Sequence, residues 1–395
     1  MKIKRSIKRL YALILTLAVL LCFAASASGP DIPGEDPDGA VAVDTTVLNV
    51  SARCAVLLEA ETGSIVYEKN ADEIRPMAST TKIMTALVAL EAGEMSKEVI
   101  VSEEAVGIEG SSVYLYEGER LSLEQLLYAL MLESANDAAT AIAVDVAGSV
   151  EAFADMMNTK ARELGLENTS FTNPHGLDNE NHKTTAYDLA KLTAYALKND
   201  TFREIVSTYR MEIPLKNGEG TRLLINHNKL LKLYKGAIGV KTGFTKKSGR
   251  CLVSAAKRDG VTLICVTLDA PDDWNDHMNL FDYGFSCYEQ RTLAEAGAYT
   301  IQVPVVGGVT DKVTATNPEP LSAVMMKDAG DVKAVVEMDR FLYAPVEAGC
   351  EIGRVVFYRA GTAVASTPIV AQENVQCPEE SGGFLQWLMN LFGMG

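Results

Sequence analysis

The sequence predicts an α+β fold: an antiparallel sheet flanked by helices, interrupted by a helical insert, and followed by a small all-β domain. Three observations carry that prediction. Apolar runs at Arg53–Glu59 and Ser64–Tyr67 flank a Glu61-Thr62-Gly63 hairpin signal. Helical patterns dominate from Thr80 to about Asn199. Strand character then returns at Met211–Pro214, Thr221–Ile225, Ala237–Thr242, Arg250–Lys257 and Val261–Ala270.

The chain begins with Lys2, Lys4, Arg5, Lys8 and Arg9, an apolar run from Leu10 to Ala24, and Ala25-Ser26-Ala27. This is the pattern of a secretory signal peptide over residues 1–27, too short for a membrane span. Residues 28–44, rich in Gly, Pro and Asp, read as a flexible linker. Removing the signal takes 5 of the 36 Lys and Arg and none of the 52 Asp and Glu. The remaining chain is strongly acidic, which argues against nucleic acid as a partner.

Six cysteines remain after Cys22 leaves with the signal, no Cys-x-x-Cys occurs, and the four histidines form no ligand pattern, so the sequence predicts no metal site. Export would permit disulfides. In a hairpin turning at Asp259-Gly260, however, Cys251 opposes Leu268 and faces away from Cys265, so both read as small core residues, as does Cys54.

Within the helical region, a helix is expected from about Thr80 to Ala92, and Leu121–Leu132 and Asp137–Val146 are apolar helices joined by Glu133-Ser134-Ala135-Asn136. Thr185-Ala186-Tyr187-Asp188 has the form of a capping box opening the next helix. An amphipathic helix around Trp274–Tyr288 closes a domain spanning about residues 45–290. Short β-rich runs over 298–370, at Thr300–Val306, Val332–Glu337, Arg354–Arg359 and Ala363–Ile369, form the second domain. Residues 371–395 are a linker and a tail whose Phe384–Phe392 segment is apolar, aromatic and too short to span a bilayer; it suits an amphipathic helix lying in the membrane interface.

Chemistry concentrates in three short motifs. Ser79-Thr80-Thr81-Lys82 puts a hydroxyl and an amine on one helix face, the pairing of a serine nucleophile with a lysine base. The same spacing at Ser254-Ala255-Ala256-Lys257 falls in a strand, where positions three apart face opposite ways. Ser134-Ala135-Asn136 lies in a tight loop between helices, where both polar side chains can project into a cleft. Lys241-Thr242-Gly243 ends an apolar strand; Lys247-Ser248-Gly249, a rival for the third motif, sits in the turn beyond it. His175 and His182 read as structural.

In this order, with Asn173-Pro174-His175-Gly176-Leu177 and Gly243-Phe244-Thr245 running on to Gly249-Arg250-Cys251-Leu252-Val253, the chain resembles a low-molecular-mass penicillin-binding protein of the D-alanyl-D-alanine carboxypeptidase family. The resemblance covers about residues 45–375 and implies a penicillin-binding/β-lactamase-like fold. It implies a secreted serine peptidase, without cofactor, that trims the terminal D-alanine of the peptidoglycan stem pentapeptide through an acyl-enzyme on Ser79 and is acylated by β-lactam antibiotics. Lys82 would be the base, kept neutral by burial and by Lys241. Ser134 would relay the proton, Asn136 would bind the substrate amide, Lys241 and Thr242 the terminal carboxylate, and Gly243 would let substrate backbone lie along the strand edge. The backbone N–H groups of Ser79 and Phe244 would form the oxyanion hole. The implied location is the cell wall or the outer face of the cytoplasmic membrane.

Two alternatives stand beside this reading. A class A β-lactamase needs Glu-x-x-Leu-Asn, and Glu163-Leu164-Gly165-Leu166-Glu167 ends in the wrong residue. A catalytically idle wall-binding protein would need none of the polar motif side chains, all of which are present. Phe244 stands where some relatives carry histidine, giving an apolar wall, and Lys246 and Lys247 make the cleft mouth basic.

Overall fold

The computed structural model describes residues 48–215 and 220–378. The expected signal peptide, the linker and the Phe384–Phe392 tail lie outside the described residues. Two strands open the order, β1 (Cys54–Glu59) and β2 (Ile65–Lys69), with helix α1 (Lys82–Ala92) next. The helical insert holds β3 (Glu98–Ile100), β4 (Arg120–Ser122), α2 (Leu123–Leu132), α3 (Asn136–Ala147), α4 (Val150–Glu163), α5 (Ala186–Ala196) and α6 (Asp200–Ser207). A hairpin of β5 (Arg210–Pro214) and β6 (Thr221–Ile225) and a short α7 (Leu230–Leu233) lead to β7 (Ala237–Thr245), β8 (Gly249–Arg258), β9 (Val261–Leu268) and α8 (Asp273–Cys287).

Strands β2-β1-β9-β8-β7 form one antiparallel sheet in that spatial order, so β7 is an edge. Helices cover both faces. Val56 and Leu58 of β1, Val253 of β8 and Val266 of β9 enter the core shared with the helical insert; Ala55, Leu57, Leu252 and Cys265 pack on the other side with Leu280 and Phe281 of α8. A sheet covered on both faces needs strands that are apolar at successive positions, which is how β1, β8 and β9 read. Each fully buried Leu or Phe here contributes about 1.5–3 kcal/mol.

Cys251 does oppose Leu268, and it packs in the helical core while Cys265 packs in the opposite layer. Both are buried free thiols, as is Cys54. Ser254 and Lys257 lie on β8, and Ser254 is spent on the buried His277 beneath the sheet.

Helix α1 is apolar all round and correspondingly buried from Lys82 to Ala89. Two expectations are corrected at helix starts. Leu121 belongs to β4, and α2 begins at Leu123 behind a full capping box made by Ser122 and Gln125. Thr185 caps α5 by accepting from Asp188 N at 3.0 Å, but the Asp188 carboxylate does not complete a box. It accepts instead from Asn168 N and Thr169 Oγ1, at 3.0 and 2.7 Å.

The second domain follows α8 directly. β10 (Tyr288–Ala294) pairs with β13 (Leu321–Met326). Strands β11 (Ile301–Val306), β12 (Lys312–Thr316), β14 (Lys333–Met338), β15 (Leu342–Tyr343), β16 (Glu351–Arg359) and β17 (Thr362–Ala371) form a six-stranded sheet in the order β14-β16-β17-β12-β11-β15. It closes over Val303, Val313, Val355, Phe357 and Ile369. No helix among the described residues is long and apolar enough to cross a membrane.

Candidate active site

Ser79 sits on a 3-10 turn over Ala78–Thr81 that runs into α1, rather than inside the α-helix itself. The turn is tied down by its own sequence. Thr80 Oγ1 donates to Met77 O at 2.6 Å, and Thr81 Oγ1 to Ala78 O at 2.8 Å. Thr81 Oγ1 also lies 2.7 Å from Nε2 of the buried His182, whose Nδ1 accepts from Thr172 N at 3.1 Å. That acceptor role puts the imidazole proton on Nε2, facing Thr81. Burial holds His182 down to about 4 and His175 to about 3, so both are neutral braces. Gly176, at φ +92°, presses on the same turn: a Cβ there would lie 2.0 Å from Ala78 O.

Lys82 is fully buried. Its Nζ lies 3.0 Å from Ser79 Oγ, 2.7 Å from Asn136 Oδ1 and 2.6 Å from His175 O. Two of those three partners are acceptors only. A neutral amine therefore spends both N–H groups on Asn136 and His175 and turns its lone pair to the Ser79 hydroxyl. Burial first, and the neighbouring Lys241 cation second, hold its pKa well below the ordinary lysine value, with Asp137 opposing them. Buried Asp137 is fixed by Ser112 Oγ at 2.6 Å and by the N–H groups of Val113 and Leu115 at 3.2 and 3.0 Å, which straps the segment carrying Ser111 against α3.

Ser134 and Asn136 come from the α2–α3 junction. Ser134, at φ +59° and almost buried, lines the cleft with Ser79. Asn136 is nearly buried, and its Nδ2 donates to Glu109 O at 2.5 Å. With Oδ1 on Lys82, its amide is engaged at both ends within the protein.

Lys241-Thr242-Gly243 lies inside β7, which continues to Thr245, so the motif does not end its strand. Lys241 is buried, donates to Thr242 O at 2.8 Å, and is held down to about 7 by burial. Burial acts on both lysines, and the Lys241 charge acts on Lys82 in addition. Gly243 meets a requirement the sequence did not reveal: a Cβ there would sit 3.0 Å from Ser79 N and 3.1 Å from Ala78 Cβ. A side chain here would push the serine's backbone away by a few tenths of an ångström, so glycine lets β7 close on it without displacement. Phe244 is 66% exposed on the cleft rim.

Between the helical insert and β7 lies a cleft of about 360 Å³ lined by Ser79, Ser134, Thr242, Gly243 and Phe244, with Arg250 and Trp274 on its far wall. Arg250 is fixed there by an ion pair to Asp273 at 2.7 Å. A larger cavity of about 820 Å³, between Glu59 and Arg203, contains none of these residues. Ser248 of the rival motif is buried in the β7–β8 turn, bonded to Thr245. Glu163 ends α4 beside Val88 and Ala92, at the end of α1 remote from Lys82, and pairs with Lys160 at 2.7 Å.

Sequence reasoning found the side chains but not the carbonyls of His175 and Glu109, nor the strap held by Asp137. Carbonyls carry no residue signature, so neither was legible in the sequence.

A family model described as D-alanyl-D-alanine carboxypeptidase matches residues 40–272, and one described as penicillin-binding protein 5, C-terminal domain, matches residues 288–377. The D-alanyl-D-alanine carboxypeptidase DacF of Bacillus subtilis (strain 168) is 35% identical over 396 residues, covering 98% of each chain. The D-alanyl-D-alanine carboxypeptidase of Streptomyces sp. (strain K15) is 38% identical over 57% of this chain and 84% of its own. The crystal structure of a peptidoglycan synthesis regulatory factor (PBP3) from Streptococcus pneumoniae superposes with a TM-score of 0.70 at 28% identity, over 83% of this chain and all of that one.

Proposed function

Since this chain belongs to the D-alanyl-D-alanine carboxypeptidase family, a family of serine peptidases acting on peptidoglycan peptides, we propose that it is exported and removes the terminal D-alanine of the stem pentapeptide through an acyl-enzyme on Ser79. The observation that carries this reading is the 3.0 Å approach of a fully buried lysine amine to the Ser79 hydroxyl, with both other partners of that amine being acceptors. Serine needs such a base to attack a peptide carbonyl near neutral pH.

Lys241 and Thr242 bind the terminal carboxylate, and the substrate backbone lies against the free edge of β7 as an added strand. Ser79 Oγ attacks the carbonyl carbon of the penultimate D-alanine while Lys82 Nζ takes the hydroxyl proton. The oxyanion is met by the N–H groups of Ser79 and Phe244, one such donor commonly contributing roughly 3–4 kcal/mol. As the tetrahedral centre collapses, the proton passes from Lys82 through Ser134 to the departing amine, and D-alanine leaves. Asn136, by holding Lys82, keeps the amine aimed; its Nδ2 exchanges Glu109 O for the substrate amide. Water then hydrolyses the ester, with Lys82 again receiving a proton.

A β-lactam amide enters the same path, but its leaving amine stays tethered in the ring-opened product. The β-lactamase alternative lacks its carboxylate base at Ser79, because Glu163 is committed to Lys160 at the other end of α1. The tail at Phe384–Phe392 holds the enzyme at the outer face of the cytoplasmic membrane.

The test joins fluorescent penicillin labelling to D-alanine release from a pentapeptide. Both are expected in the native chain and both lost in Ser79→Ala; retention of either by that variant rejects the assignment.

A further inference from the structure

The six-stranded sheet of the second domain ends in an open edge. β14 is its outermost strand, paired with β16 on one side and, among the described residues, with nothing on the other. The unpaired N–H and C=O groups of such an edge are a template for another strand. β14 has six residues, no proline, and four successive exposed positions from Lys333 to Val336. Val335 and Val336 face opposite sides of the sheet and are 45% and 39% exposed. Val336 stands opposite the wholly buried Val355, so the apolar layer of the domain runs out to this strand and, among the described residues, stops without a cover.

We propose that β14 docks a second copy of this chain, strand to strand and antiparallel, about a twofold axis through Val335. The occupant is chosen by self-complementarity. With the axis at Val335, Lys333 of each copy lies opposite Glu337 of the other, Ala334 opposite Val336, and Val335 opposite itself. Lys333, Val335 and Glu337 share one face, so two opposite-charge pairs flank a valine pair. A slip of one residue would set side chains of opposite faces against each other and is excluded. Glu337 is held by Arg354 Nε at 3.0 Å and Tyr358 OH at 3.1 Å on the neighbouring β16, so its carboxylate lies over the sheet and would be shared between Arg354 and the incoming Lys333. An uncharged strand from another protein would leave Lys333 facing nothing; a second copy neutralises it. Two six-stranded sheets then become one, and the uncovered Ala334 and Val336 of each copy meet across the seam.

The experiment uses the full chain and cysteine variants under a mild oxidant. Val335→Cys brings two thiols together on the axis and is expected to give a covalent dimer. Val336→Cys, whose opposite neighbour is Ala334, and the native chain, with its own free Cys287, Cys350 and Cys377, set the background. Light scattering should show the native mass doubling with concentration, and Lys333→Glu, an exposed substitution checked by its unchanged melting temperature, should remain monomeric. The proposal is overturned if Val335→Cys crosslinks no faster than Val336→Cys. It is equally overturned by a native chain that stays monomeric at every concentration; β14 amides that resist hydrogen exchange in that monomer would show another segment of the same chain covering the edge.

Discussion

Lys82 and Lys241 are buried a short way apart and need opposite charge states: one acts as a base only when neutral, the other binds a carboxylate only as an ammonium. Their titrations therefore bound the reaction from both sides. The specificity constant kcat/KM should rise with pH as Lys82 loses its proton and fall again as Lys241 passes through about 7, with the alkaline limb moving upward in kcat because bound carboxylate favours the ammonium. A kcat/KM profile flat from about pH 6 to 10 would remove Lys241 from carboxylate binding. The same burial costs stability. Because Lys241 is lowered from 10.5 in the unfolded chain to about 7, the folded state loses stability as pH falls through that interval and no further below it. Lys241→Met should therefore raise stability by roughly 2–4 kcal/mol at pH 7, shrinking towards zero near pH 10.5, as denaturant melts at the two pH values would show. Gly243→Ala puts a Cβ 3.0 Å from Ser79 N; misplacing the serine by a fraction of an ångström should lower kcat/KM about 100-fold while the melting temperature stays within a few degrees.

At the scale of elements, two local devices are separable by experiment. Gly176→Ala sets a Cβ 2.0 Å from Ala78 O at φ +92°, so both stability and acylation rate should fall, and a variant that keeps its acylation rate would detach this loop from the Ser79 turn. Thr185→Ala removes the α5 cap at 3.0 Å and should cost about 1 kcal/mol of stability with kcat unchanged, read from denaturant melts and steady-state rates. The elements legible in the sequence were β1, β2, β5 to β9, β11, β14, β16, β17, α1, α2, α3, α5 and α8, each marked by an apolar run, a cap or a flanking turn signal. The short pair β3–β4 and strands β10, β12, β13 and β15 were not, because runs of two to seven residues without a clear alternation fit a loop as well as a strand. The motif side chains were legible because the helical context of Ser79 and Lys82 puts both on one face, whereas the same spacing at Ser254 and Lys257 falls in a strand. What positions Lys82, the His175 carbonyl and the strap on Asp137, depends on chain reversals far away in sequence.

Across the whole molecule, the second domain shares a core with the first, since Tyr288 and Val324 pack in the layer beneath the sheet with Leu57 and Phe281. Truncation after Cys287 should accordingly lower the melting temperature by several degrees while kcat stays within about threefold, because no residue lining the cleft is lost. An equal loss of both would make the second domain part of the active site. The approach of Gly243 to Ser79 carries one more consequence. The two residues are far apart in sequence, and until β7 docks, Ser79 lacks the strand that closes on its backbone and the Lys241 charge that helps hold Lys82 neutral. Non-local contacts of this kind form late, since they bear the loop-closure entropy of the intervening chain. A copy in which β7 has not yet docked is thus chemically silent, and covalent labelling of Ser79 counts molecules whose first domain has closed, whatever the state of the second.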